Sequence, residues 1–394
     1  MIDLNKVRAD TPGCGSKIHF NNAGASLMPK VVIDAIQNYI SFEAITGGYE
    51  AEDIKVGEIK KFYQALGALI NCRPENIAFT SSATNSFARA LSCISFQKGD
   101  AILIANEDYI SNQIAFLSLQ KRFGLRIIRA ASLAEGGVDV DDMKRLMDAH
   151  RPKLVSLTHV PTNSGLVQPI EEVGKLCRER SILYLVDACQ SVGQLPIDVN
   201  KIQCDFLSAT FRKFLRGPRG TGFLFISDQV LKQGMEPLFI DMRGANWTAE
   251  NEYTPQRDAK RFEDWEFPYA LLIGAKAAVE YALNIGIENI EERNTILCKK
   301  IRSEIHLLPD IKTLDIGEKL SSIITLKIPG QQPKEFMDML RKRNINTSVS
   351  YREYGLIDFN KKGVDWALRV SPHYFNTEEE IDILVHTLKE ATRS

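Results

Sequence analysis

Lys213 sits in the run TFRKFLRGPRGTG (210–222), just after an apolar stretch and just before a Gly-Pro-Arg-Gly turn. An amine delivered to a strand end can form a Schiff base with a carbonyl compound, whereas a lysine among three arginines can equally be one more solvated cation. Asp187, in YLVDACQSVGQ (184–194), ends a second apolar stretch and is followed by Gln190. A carboxylate there is costly unless it meets a cation such as a protonated heterocyclic nitrogen, or unless it caps a helix. A third stretch, AFTSSATNSFARAL (78–91), passes through small hydroxyl residues into a helix opening near Thr84. Backbone N–H groups at a helix start suit a phosphate, and N-capping by Ser82 or Thr84 accounts for the same residues. Asp187 and Lys213 are 26 residues apart, about one strand–helix–strand excursion. Taken together, the three features supply a phosphate cradle, a partner for a pyridinium nitrogen and a Schiff-base amine, which are the protein groups that pyridoxal phosphate requires.

Short β-rich apolar segments must carry these groups. They fall at 77–80, 101–105, 125–130, 153–160, 182–188, 205–210 and 222–226, with amphipathic helical patterns between them at 111–122, 139–149 and 169–180. Near-continuous apolar strands alternating with helices predict an α/β fold with a parallel or mostly parallel seven-stranded sheet covered on both faces. Ligands of such sheets lie beyond the carboxyl ends of the strands, where all three groups are placed. After about residue 285 the texture changes to a helix over IENIEERNTILCKKIRSEIHLL, an alternating strand near SSIITLKI, a helix near PKEFMDMLRKRN and a last helix from Thr377. This predicts a large domain over 17–285 and a smaller α+β domain over 286–394, with 1–16 packing on the latter.

Composition bounds the function. The chain has 394 residues, 44% hydrophobic and 25% charged, with a net charge of −1. That balance recruits neither nucleic acid nor an anionic membrane, and the length exceeds the roughly 250–300 residues that one core supports. The amino-terminal MIDLNKVRAD lacks the apolar region of a signal peptide, and no apolar run approaches the roughly 20 residues that span a bilayer, so a cytoplasmic protein is expected. Seven cysteines without a close CxxC pair and six dispersed histidines predict neither a disulfide framework nor a metal site.

FNNAGASLMP, FTSSATNS, HVPTNSG, VDACQSVGQLPIDV, CDFLSATFRKFLRGPRGTGFL, RFEDWEF and LRVSPHYFNTEEEI occur in this order along the chain. In order and spacing they resemble the class V aminotransferase family of pyridoxal-phosphate enzymes of fold type I. That family holds cysteine desulfurases, isopenicillin N epimerase-like proteins, kynureninases and hercynylcysteine sulfoxide lyases. The resemblance implies that Lys213 is the Schiff-base lysine and moves the α-proton, that Asp187 pairs with the pyridinium nitrogen, and that Gln190 bonds the 3′-oxygen. It implies that Ala83, Thr84, Thr210 and Arg212 hold the phosphate. It puts Tyr109 of NEDYISN where a ring, usually His in desulfurases, stacks on the cofactor, and either Thr162 or Asn163 at the cofactor's oxygen side. Arg369 would grip the substrate α-carboxylate with a bidentate fork, beside Asn22 and Gly24. His159 reads as a packed strand residue. A homodimer with the site at the subunit interface is implied as well.

The departures bear on the reaction. Desulfurases carry a nucleophilic cysteine on a loop before the carboxylate arginine, and NTSVSYREYGLIDFNKKGVDWALR (346–369) has none. Where desulfurases show a Gly-Thr that reaches the partner's phosphate, this chain has Trp265 and Glu266, so Trp265 either contacts cofactor or substrate or packs an interface. Arg352 either recognises a second anionic group or pairs with Glu353 in solvent. The expected activity is a carbon–sulfur β-lyase on a cysteine S-conjugate or cysteine-like amino acid, the alternatives being an amino-acid epimerase or racemase, an aminotransferase, or a non-catalytic relative.

Overall fold

The computed structural model describes residues 2–392. Seven strands form the central sheet: β1 (Ile77–Thr80), β2 (Ala101–Ile104), β3 (Arg126–Arg129), β4 (Leu154–Thr158), β5 (Leu183–Asp187), β6 (Phe206–Thr210) and β7 (Gly222–Ile226). Their order is β1-β7-β6-β5-β4-β2-β3, and only β7 runs antiparallel to its neighbours. The sequence-predicted strands and sheet class are therefore the observed ones. Successive strand residues feed opposite cores: Leu103, Val155, Val186 and Leu207 pack with Phe62, Phe79 and Phe223 on one face. Ile102, Leu154, Leu185 and Phe206 pack with Phe87, Phe116 and Leu224 on the other. Both faces are dry, which is why the strands read as unbroken apolar runs.

The helix Ile170–Glu179 shows how closely the layers approach. A Cβ on its Gly174 would meet the Ile202 carbonyl oxygen at 1.8 Å. Two long helices, Lys30–Thr46 and Gly48–Ile70, pack with Tyr269–Ile285 outside the sheet. Between Ala245 and Pro255 lies an antiparallel hairpin, β8 (Ala245–Ala249) and β9 (Glu252–Pro255), whose side chains are mostly exposed.

The carboxyl-terminal unit is a four-stranded antiparallel sheet of β10 (Lys312–Thr313), β11 (Ile324–Lys327), β12 (Ser348–Tyr351) and β13 (Trp366–Val370), in the order β10-β11-β13-β12. Helices Ile287–His306, Pro333–Lys342 and Glu378–Ala391 cover it. Thr377 caps the last helix in a reciprocal capping box with Glu380. The start of the chain serves both units: Val7 packs into the large core, so 1–16 does not pack on the smaller unit alone as expected, while Ile18 and His19 pair in parallel with Ile345 and Asn346 and Phe20 packs into the smaller core.

Candidate active site

Strand β6 delivers Lys213 to the carboxyl edge of the sheet on a turn closed by the Arg216 N–H donating to the Lys213 carbonyl at 2.8 Å. Arg216 has φ +60° and is 1% exposed. Its guanidinium donates to Leu27 O (2.9 Å), Tyr374 Oη (2.8 Å) and Thr11 Oγ1 (2.5 Å), and lies 4.5 Å from the Phe375 ring centre. This buried arginine therefore clamps the Lys213 turn onto the amino-terminal segment and the carboxyl-terminal unit. Lys213 is 6% exposed, and its Nζ lies 5.8 Å above the ring centre of Tyr109. Burial pulls its amine down to about 8; Arg212 and Arg369 push the same way, while Cys189 and Asp187 oppose them.

Asp187 ends β5, paired in register with Thr158 and Ser208. It is buried, and each oxygen holds one donor: Cys189 N–H on Oδ1 and Asn112 Nδ2 on Oδ2, both at 2.9 Å. Asn112 Nδ2 also donates to Asp108 Oδ1 at 3.0 Å. Asp108 takes further bonds from Tyr109 N–H and Gln113 Nε2, each at 2.7 Å, and from the Thr158 hydroxyl. Burial raises the Asp108 carboxyl and the charge of Asp187 adds to the rise, against its Thr158, Asn112 and Gln113 donors.

Arg369, on β13, reaches the same cleft. It is 8% exposed, and its donors find only neutral acceptors at long range: Thr162 O (3.3 Å), Thr162 Oγ1 (3.2 Å) and Asn21 Oδ1 (3.4 Å). Its Nε is buried without a partner. Burial, with the charge of neighbouring Arg212, lowers the guanidinium to about 10. Gln190 donates to Ala23 O at 3.1 Å and to the Thr162 hydroxyl, and its Oε1 has no partner. Thr162 thus joins Arg369 to Gln190, whereas Asn163 donates to Tyr354 O at 2.8 Å.

Asn22 lies nearby, but its amide donates to Ser371 O (2.8 Å) and its oxygen accepts from Ser26 (2.6 Å). The side chain on Arg369 is that of Asn21, one residue earlier. Gly24 offers its carbonyl to the Arg212 guanidinium, and a Cβ there would meet Asn21 Oδ1 at 2.5 Å.

At the helix Ala83–Ser92, Ser82 is the cap and accepts Asn85 N–H at 3.1 Å, with Ala83 and Thr84 opening the first turn. Gly222 lets this helix start sit against β7, since a Cβ there would lie 2.7 Å from Ala83 N. Thr210 is buried beside it and donates to Thr221 O at 3.1 Å.

Two residues of the sequence-predicted set lie elsewhere. Arg352 is exposed and donates to Asn360 Oδ1 at 2.6 Å, so it touches neither the cleft nor Glu353 through that bond. Trp265 is 45% exposed, with its N–H on Asp241 Oδ2 at 3.2 Å. His159 is buried and neutral, driven down to about 3 by burial.

The Aminotransferase class-V family model matches residues 18–384. The chain belongs to that family. Similar relatives include probable cysteine desulfurases of Methanothermobacter thermautotrophicus (27% identity, 98% of this chain and 97% of the relative) and Pyrococcus abyssi (28%, with the same coverage). Among solved structures, the apo cysteine desulfurase of Thermococcus onnurineus NA1 matches with TM-score 0.91 at 24% identity, over 100% of this chain and 99% of that one. A cystine C–S lyase in complex with its product cysteine persulfide matches with TM-score 0.86 at 23% identity, over 96% and 99%.

This class-V enzyme is pyridoxal-phosphate-dependent and has the type I fold. Its cleft fits the cofactor: a buried lysine with a lowered pKa, a buried carboxylate and the unpartnered Gln190 Oε1 and Arg369 Nε converge there. Gln190 can donate to a 3′-oxygen once its amide gives up Ala23 O or Thr162. The residues that sequence reading passed over are Asn112, Asp108 and Asn21. The i, i+4 spacing of Asp108 and Asn112 at a helix start was the available signal.

Proposed function

We propose that this class-V enzyme is a carbon–sulfur β-lyase acting on a cysteine S-conjugate or a related cysteine-like amino acid. Bound as a Schiff base and protonated on its ring nitrogen, pyridoxal phosphate supplies an electron sink for the pair left on a substrate's α-carbon. Lys213, neutral above about pH 8 and shielded from water, takes the α-proton at Nζ. Asp187 holds the ring nitrogen, and Tyr109 covers the lysine side of the cleft. The helix start at Ala83 and Thr84 takes the phosphate together with Thr210 and Arg212. Arg369 exchanges its long neutral contacts for the substrate α-carboxylate, with Thr162 and Asn21 fixing the fork. With the cofactor bound as electron sink, β-elimination would release the sulfur as a thiol, and water would convert the remaining carbon skeleton to pyruvate and ammonia; Lys213 would hold the α-proton at Nζ and Arg369 the carboxylate throughout.

The observation that carries this reading is the missing sulfur acceptor. No cysteine occurs in 346–369, and Cys298 is buried against Ser322. Cys189, two residues after Asp187, has its thiol raised well above the ordinary range by burial and the neighbouring carboxylate, which makes it a weak nucleophile. The loop that carries the sulfur-accepting cysteine in desulfurases therefore offers none here.

The same reading includes a homodimer, supported by exposed apolar side chains on and beside the β8–β9 hairpin: Leu238, Phe239, Met242 and Trp247. Trp265 would pack in that interface, beside the partner's cleft. Among the described residues no single helix is long and apolar enough to cross a membrane.

Assaying pyruvate, alanine and thiol together from one S-conjugate tests the reaction. Equimolar pyruvate and thiol support elimination; alanine with the thiol held as a mixed disulfide on the protein would replace it with desulfuration, and an inverted amino acid without pyruvate with epimerisation.

A further inference from the structure

One buried amide joins two carboxylates behind the cleft. Asn112 is 4% exposed, and its Nδ2 donates both to Asp187 Oδ2 (2.9 Å) and to Asp108 Oδ1 (3.0 Å). Both acceptors are acid groups, which defines the amide's orientation: a carbonyl oxygen in that place would face carboxylate oxygens. The residue sits in the first turn of the helix Ile110–Phe123, its own N–H on Tyr109 O at 3.0 Å. Asp108 is held in turn by Tyr109 N–H, Gln113 and Thr158, so it is a fixed anchor rather than a mobile acid. Each Asp187 oxygen keeps one N–H donor, Cys189 N–H on Oδ1 and the Asn112 amide on Oδ2.

We infer that Asn112 and Asp108 are positioning residues acting through Asp187: Asn112 keeps the Asp187 carboxylate aimed, and Asp108 keeps Asn112 aimed. The inference rests on the reading that Asp187 holds the cofactor's ring nitrogen. The physical reason is that a donor to a carboxylate favours its charged form and fixes its plane, and a charge-assisted bond is short and directional. Asp108 adds a second negative group on the far side of the amide. It polarises the Asn112 N–H groups and adds to the field that keeps a ring nitrogen protonated.

The inference separates from a merely structural role by the choice of cofactor. Asn112→Ala and the isosteric Asp108→Asn, prepared as apoenzymes, are titrated with pyridoxal phosphate and with its carbocyclic analogue, in which a C–H replaces the ring nitrogen. Thermal unfolding of each apoenzyme reports folding. Loss of one charge-assisted bond should weaken pyridoxal phosphate about tenfold for Asn112→Ala, and about threefold for Asp108→Asn. Affinity for the analogue should change less than twofold, because Asp187 has nothing to hold there. In an Asp187→Asn background, Asn112→Ala should have no further effect. Equal weakening toward both molecules, or no weakening toward either, would overturn the inference. If the unaltered apoenzyme binds pyridoxal phosphate no tighter than the analogue, the role of Asp187 itself falls, and this one with it.

Discussion

Arg369 and Lys213 are opposite answers to burial. The lysine meets the cost by giving up its proton readily, and the guanidinium keeps its charge with only neutral contacts. Lys213→Ala should abolish covalent retention of the cofactor: borohydride reduction followed by mass spectrometry should show the cofactor adduct on the unaltered protein and none on the variant. Because the lysine's folded pKa is lowered to about 8 and only the neutral amine attacks an aldehyde, capture of pyridoxal phosphate by the apoenzyme should speed up from pH 7 to 9. It should level off above that, and a flat profile in stopped-flow absorbance would contradict the assignment. Arg369→Lys keeps the charge but loses the fork, so kcat/KM should fall by roughly 30-fold or more, chiefly through KM. Lys213 and Asp187 were legible in the sequence because each follows an apolar stretch, whereas Arg369 was reached only through the family resemblance. Asn112 and Asp108 were not, since a polar residue in a first helical turn has the same appearance whether it caps the helix or braces a distant strand.

At the scale of elements, Glu263 shows what the RFEDWEF motif does for the fold. It is fully buried and binds Arg243 Nε, Tyr63 Oη and Phe79 N–H, each at 2.8 Å. It thereby ties the helix Gly48–Ile70 and strand β1 to the segment leading into Tyr269–Ile285. Arg243→Ala leaves that carboxylate uncompensated and should cost about 3–5 kcal/mol, read from urea unfolding of the apoenzyme. A loss below about 1 kcal/mol would mean that Tyr63 and the Phe79 amide suffice. The seven strands were readable because both faces of the sheet are covered, so each strand is a short apolar run bounded by polar turns. The β8–β9 hairpin was not, because its exposed residues carry no core-facing alternation. Arg216 was readable only as an unassigned cation; its aromatic and hydroxyl partners come from residues far away in sequence.

The whole molecule brings its two units together at the cleft: β5 and β6 supply Asp187 and Lys213, while β13 supplies Arg369 and the amino-terminal segment supplies Asn21. Such a cleft cannot be read from one domain's pattern, and this is why the motifs at both chain ends mattered. The exposed Phe239 and Trp247 should be covered in solution: sedimentation should give a dimer of the 44.3 kDa chain, and Trp247→Glu should shift it toward monomer. The central claim is that sulfur leaves this enzyme rather than being handed to one of its cysteines. Holoenzyme turned over in deuterium oxide with a cysteine S-conjugate should yield pyruvate and free thiol in equal amounts, with the thiol held as a mixed disulfide on none of its seven cysteines. Alanine accompanied by such a mixed disulfide would contradict it.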